Sequence, residues 1–270
     1  MSATGDPSSI SHDSILLTRG EPTARAYLLL HGLTASPRQF AEFGRLLFER
    51  GANVSIPPLP RHGLTDRLTT ELQDLSAAEL RTFARASAAH AQTLGRKLTV
   101  IGFSVGGLLA AWIGQTMPVD RVVAIAPFLG VAWLPRRLTA RAARVALRMP
   151  NRFLWWDPIK RERQMPAHGY PRFPTHAVAE AMTLGQELLA EAMREAPATR
   201  DVQVVLNASE AAINNPAAEK LAALWSAHEG GRIVLHRLNG LPPSHDIIEP
   251  LRAPHIARSV YAALLDLVER

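Results

Sequence analysis

The chain has 270 residues, 47% of them apolar and 20% charged, the profile of a folded globular protein and not of a disordered one. It has no cysteine, which excludes disulfide scaffolds, cysteine-ligated zinc, iron–sulfur clusters and thiol nucleophiles. Lysine and arginine outnumber acidic residues 30 to 24, but the surplus is regional: residues 128–172 hold nine Arg and Lys160 against Asp157 and Glu162, a local +8 that leaves −2 for the rest. No zinc-finger spacing, aromatic RNA-binding strand or Gly-Lys phosphate loop accompanies the basic stretch, so nucleic acid is not expected as a partner.

In chain order, residues 1–20 read as a flexible N-terminal segment. Met1 to Ser14 has neither a basic n-region nor an apolar h-region, so no secretory signal is read and a cytoplasmic location is expected. From residue 21 the chain alternates short apolar runs with helical patterns. Tyr27–Leu30, Asn53–Ile56, Leu98–Phe103 and Arg121–Ala126 read as buried strands, and Val202–Leu206 and Ile233–Leu238 resume the series further on. Pro37–Arg50 places Phe40, Phe43, Leu47 and Phe48 on one face and stops at Gly51; Ser-Ala-Ala-Glu at Ser76 is a capping box opening a helix that ends near Gly95. Strands alternating with helices of this length predict an α/β fold with a mostly parallel central sheet and helices on both faces. The uncharged run Leu98–Val119 has 22 residues, long enough for a membrane span. Its four glycines fit a strand, a turn and a helix better, and no stable membrane span is expected.

The alternation breaks after Ala126. Residues 128–199 contain no convincing strand but hold seven of the sixteen aromatic residues, and they read as a helical cap inserted between core segments 21–127 and 200–270. Within it Leu138, Ala142, Val145 and Met149 recur at steps of 4, 3 and 4, with Arg137, Arg141, Arg144 and Arg148 one position earlier. That is an amphipathic basic helix. Its apolar stripe is expected to pack on the core under a solvated arginine face, the alternative being attraction of anionic substrates or a lipid surface.

Gly102-Phe103-Ser104-Val105-Gly106-Gly107 follows a strand and precedes the apolar helical run Leu108–Ile113. A serine on so tight a strand-to-helix turn projects its hydroxyl while the backbone doubles back, and side chains on the flanking positions would collide, hence glycine there. This nucleophile elbow resembles that of the α/β-hydrolase superfamily. His31-Gly32-Leu33-Thr34, directly after a strand and before the helix at Pro37, matches the superfamily's oxyanion loop, which implies a hole formed by the backbone N–H groups of Leu33 and Val105. His31 and His62 are read as loop structure.

A base is needed because a serine hydroxyl is barely nucleophilic at neutral pH. His245, in the loop Leu241–Ile248 after the last predicted strand, stands where the superfamily presents its histidine. The triad acid should follow the strand Val202–Leu206, and Glu210 fits that frame with Ile213 three positions on, although relatives more often carry Asp. Asp201, Asp120 and Asp246 compete less well, the last because it adjoins His245 and should point elsewhere. The order Ser104, Glu210, His245 is that of α/β-hydrolases, and the resemblance spans residues 25–127 and 200–270.

The resemblance is closest to bacterial serine carboxylesterases and monoacylglycerol lipases. It implies a small-molecule ester substrate of short or medium acyl length, monoglycerides included, with no cofactor and no metal; His168 and His176 lack ligand spacing. Phe128, Trp133, Trp155 and Trp156, with Phe153 and Phe173, are expected to line the acyl pocket or to fasten the cap to the core. Ser104 speaks against haloalkane dehalogenases and epoxide hydrolases, whose elbow carries Asp. A thioesterase acting on acyl-CoA, an amidase, a C–C bond hydrolase and a non-catalytic binding protein of the same fold are the alternatives, and homodimerisation is left open.

Overall fold

The computed structural model describes residues 14–269. The core elements are β1 (Ile15–Leu17), β2 (Thr23–Leu30), α1 (Ala41–Glu49), β3 (Asn53–Ile56), α2 (Ala77–Gln92), β4 (Gly95–Phe103), α3 (Val105–Thr116) and β5 (Arg121–Ile125). They are followed by α4 (Thr139–Ala146), β6 (Phe153–Trp155), β7 (Arg172–Pro174) and α5 (Thr175–Ala192), and then by β8 (Asp201–Asn207), α6 (Asn215–Ser226), β9 (Arg232–Leu238) and α7 (Pro254–Glu269).

Seven strands form one sheet in the order β1-β3-β2-β4-β5-β8-β9, parallel throughout except for β1. Runs such as Leu28-Leu29-Leu30 and Val122-Val123-Ala124-Ile125 are continuously apolar because both faces of the sheet are covered, and all seven of these residues are buried. The order places β4 at the centre, between β2 and β5. The carboxyl ends of β2, β4 and β8, with the loop after β9, therefore open on one edge of the sheet, where open α/β sheets place their ligands.

Element existence follows the sequence reading, and the differences lie mostly at ends. β2 and β4 begin in polar residues because their ladder runs out to Thr23 opposite Gly95, beyond the buried part that hydropathy detects. The helix from Pro37 opens as a 3-10 turn, Pro37–Phe40, with the side chain of Ser36 accepting from the Arg38 N–H. The capping box forms as read: Ser76 Oγ accepts from the Glu79 N–H and the Glu79 carboxylate accepts from the Ser76 N–H.

Three expectations are corrected. Of the segment 1–20 expected to be flexible, residues 1–13 lie outside the described residues, but Ile15–Leu17 form an edge strand antiparallel to β3. Residues 128–199 are not wholly helical, since β6 and β7 pair into a small antiparallel ribbon whose three-residue strands are too short for a periodic signal. Of the apolar stripe expected to pack on the core, Ala142 does so, beside the buried Thr139 and Ala143, whereas Leu138, Val145 and Met149 face solvent. Among the described residues no helix is long and apolar enough to cross a membrane.

Candidate active site

Ser104 stands between β4 and α3 with φ 57° and ψ −116°, a left-handed conformation for a residue with a side chain. The surrounding backbone leaves it no alternative. A Cβ on Gly102 would lie 1.9 Å from the Gly106 carbonyl oxygen, and one on Gly106 would lie 2.0 Å from the Leu30 carbonyl oxygen. The turn is pinned by the Ser104 N–H donating to Ile125 O (3.0 Å), while Ser104 O accepts from the Leu108 and Phe128 N–H groups.

The imidazole of His245 bridges two groups from distant parts of the chain. Its Nε2 lies 2.8 Å from Ser104 Oγ and its Nδ1 lies 2.8 Å from Glu210 Oε2. A carboxylate only accepts, so Nδ1 carries the proton and Nε2 receives the hydrogen bond from the serine hydroxyl. Burial raises the Glu210 carboxyl pKa, but the hydrogen bond and charge of His245 and the N–H groups of Ala212 and Ile213 outweigh burial and hold it below the usual glutamate value. The longer glutamate side chain thus reaches His245 while its own loop gives the carboxylate two backbone N–H partners. The His245 ring lies 4.9 Å from Phe103, which backs it. Asp246, its neighbour, turns away as expected: one carboxylate oxygen accepts from Gln39 Nε2 (3.2 Å) and the other from the Glu249 N–H (3.1 Å).

Sequence reasoning missed Asn207. Buried at the end of β8, its amide donates to the carbonyls of Pro242 and Ser244, and its oxygen accepts from the Ser209 N–H. It therefore ties the loop bearing Glu210 to the loop bearing His245. An asparagine ending a buried strand was the available signal.

Opposite Ser104, the loop from His31 to Ser36 has its N–H groups sorted. Gly32 N–H donates to Gln39 Oε1 (2.9 Å) and Thr34 N–H to His62 Nε2 (3.0 Å). Between them the N–H of Leu33 has no acceptor among the described residues, and neither has that of Val105 in the first turn of α3, where no intrahelical partner exists. Both residues line the same cavity. His31 and His62 are structural, as read. In each, Nδ1 donates to a carbonyl (Gly32 O, Pro60 O) and Nε2 accepts a backbone N–H (Leu59, Thr34), which fixes the neutral ring. Burial holds His62 down at about 4 and His31 well below its ordinary value.

The cavity over Ser104 measures about 410 Å³. Phe128, Trp156 and Phe173 line it, with Val131, Val178 and Ile213 unforeseen beside them. Trp133 and Trp155, both expected in this wall, are absent from it, as is Phe153. Trp133 projects outward and borders a separate shallow depression. Phe153 and Trp155 share one side of β6, and Phe153 lies under the Arg172 guanidinium at 4.5 Å. Trp156 packs at a tilt against Phe173 (4.1 Å) and donates through Nε1 to Thr34 Oγ1 (2.8 Å). Among the described residues no group of three or more His, Asp or Glu is placed to hold a metal ion.

Solved structures share this architecture. A chain described with the metagenome-derived lipolytic enzymes LipS and LipT aligns with TM-score 0.67 at 18% identity, over 93% of this chain and 96% of that one. The monoacylglycerol lipase of Paleococcus ferrophilus aligns with TM-score 0.69 at 18% identity, over 94% and 98%. A soluble variant of the monoglyceride lipase of Saccharomyces cerevisiae gives 0.66 at 14%, over 93% and 89%. At such identities the likeness is one of fold. No curated protein sequence matches the chain. A family model described as the alpha/beta hydrolase family matches residues 27–249, most of the chain and every group placed around Ser104, and the protein belongs to that family.

Proposed function

We propose that this protein is a serine hydrolase that cleaves carboxylic esters through an acyl-enzyme on Ser104, with His245 as general base and Glu210 as the orienting acid. The observation carrying the reading is the imidazole held at 2.8 Å from both the hydroxyl and the carboxylate. As Ser104 Oγ attacks the ester carbonyl, its proton passes to His245 Nε2, and the imidazolium so formed is stabilised by Glu210, whose charge burial alone would disfavour. The carbonyl oxygen gains charge in front of the Leu33 and Val105 N–H groups, each such donor being worth about 100- to 1,000-fold in rate. His245 returns the proton to the leaving alcohol, then takes one from the water that attacks the acyl-enzyme.

The cavity, at about 410 Å³, stands toward the small end of ligand sites, which span about 300–1,000 Å³, and its wall is largely apolar. Both features favour a short or medium acyl chain. In the test, a fluorophosphonate labels the native protein, and a series of p-nitrophenyl esters of increasing acyl length, with an acyl-CoA thioester beside them, defines the substrate. Ser104→Ala is expected to abolish labelling and to lower turnover on the order of a million-fold without unfolding the chain. A folded native protein that ignores the probe and every ester refutes the reading and favours a binding role.

A further inference from the structure

The outer surface of residues 128–172 carries a pattern that chemistry at Ser104 does not use. α4 packs against α5 with the small residues Thr139 and Ala143 buried, while larger side chains of the same segment face outward. Leu138, Val145 and Met149 are 41%, 50% and 58% exposed, in one row at helical spacing. Arg137, Arg141, Arg144 and Arg148 form a second exposed row one position earlier, and among the described residues none of the four pairs with a carboxylate. Among the described residues ten large hydrophobic side chains are exposed, and seven fall in this one stretch, Trp133 at 81% and Ile159 at 92% among them; of the seven only Trp156 belongs to the cavity over Ser104. The same stretch holds the local +8. A soluble surface keeps its apolar residues scattered; this helix sets Leu138, Val145 and Met149 beside a row of arginines.

We propose that this face docks on an anionic phospholipid bilayer, with Leu138, Val145 and Met149 entering the boundary between headgroups and acyl chains and the arginine row binding lipid phosphates. Charge selects this occupant. The rest of the chain sums to −2, so the net attraction to an anionic sheet comes from the stretch that carries this face. A second copy meeting it about a two-fold axis would set this row of four unpaired arginines against four more. A nucleic acid or an acidic peptide would satisfy the arginines but leave the apolar row in water. The protein would lie on the bilayer rather than span it. The proposal is independent of the reaction assigned to Ser104.

The test is sedimentation of the full chain with extruded phosphatidylcholine vesicles, with or without roughly 30% phosphatidylglycerol, at low and high salt. Binding is expected to need the anionic lipid and to fall at least about ten-fold in high salt. The combined variant Leu138→Ser, Val145→Ser, Met149→Ser keeps every arginine and is expected to bind at least about ten-fold more weakly, as is a variant with the four arginines changed to Gln. All seven side chains are exposed, and unchanged hydrolysis of a soluble ester, or an unchanged melting temperature should no ester be cleaved, verifies the fold. No preference for anionic vesicles overturns the proposal. So does undiminished binding by the serine variant, which would mean charge adsorption alone, and so does a dimer that the same serine changes dissolve.

Discussion

The turn at Gly102–Gly107 and the loop at His31–Ser36 face one cavity, yet opposite kinds of force hold them. The turn is fixed by backbone crowding among β2, β4 and α3: carbonyl oxygens of Leu30 and Gly106 fill the space where side chains would go, and Ser104 is driven into a left-handed conformation. The loop is fixed by side chains brought from elsewhere, Gln39, His62, Trp156 and His168, the last 132 residues from its partner Ser36. Steric exclusion leaves a glycine signature readable in any sequence. A web of distant hydrogen bonds leaves none, so the two sides of the cavity differ in how they can be broken.

The largest effect is expected on the crowded side. In Gly106→Ala the new methyl would sit against the Leu30 carbonyl, a backbone atom that cannot rotate away. We expect destabilisation of at least about 3 kcal/mol in urea unfolding. kcat/KM should fall by about 100-fold or more, because displacing the nucleophile by even about 1 Å costs that much. A variant as stable and active as the native protein would mean that the turn is not held by exclusion.

On the other side, Gln39→Leu removes the acceptor of the Gly32 N–H and the donor to Asp246 together. A buried N–H left unsatisfied costs about 1–3 kcal/mol, and both loops flanking Ser104 lose a tether. The expected result is a fall in kcat of about 10- to 100-fold with KM little changed and slower fluorophosphonate labelling. Equal loss from KM would place Gln39 at the substrate instead.

His62 tests the same loop through pH. Its folded pKa, about 4, is below the 6.5 of the unfolded chain, so between these values the unfolded state binds a proton the folded state refuses. Stability is therefore lost as pH falls from about 6.5 to about 4 and changes no further below that, the share from this residue being about 3 kcal/mol. His62→Asn keeps a carbonyl acceptor and has nothing to titrate. Unfolding midpoints measured across that window should fall less steeply in the variant, and identical slopes would remove His62 from the account.

What the sequence disclosed follows the same division. Ser104, Glu210 and His245 could be placed because each sits just past the carboxyl end of a strand, where topology alone decides which residues meet. Asn207, Gln39 and His168 were not found, since their role is to bond to backbone or side chains that only the folded chain brings near. Trp133 and Trp155 were placed wrongly for a related reason: aromatic content marks a stretch as apolar but does not say which ring faces the cavity. In α4 the spacing identified two rows but could not say which surface is buried; the side of Thr139 and Ala143 is the one that turns inward.

The smallest expected effect is at Trp156, where the comparison can be sharpened because the side chain has two separable contacts. Its ring lines the cavity and packs against Phe173, while its Nε1–H alone reaches Thr34 in the loop. Trp156→Phe keeps an apolar ring in the wall and deletes the hydrogen bond, worth about 0.5–1.5 kcal/mol. If that bond holds the loop, kcat should drop by up to about ten-fold for short and medium acyl esters alike. If the ring matters only as a wall, the loss should appear in KM and vary with acyl length. Trp156→Ala, which removes both contacts, should then add the length-dependent loss to the uniform one, and the difference between the two variants separates what the loop requires from what the acyl chain requires.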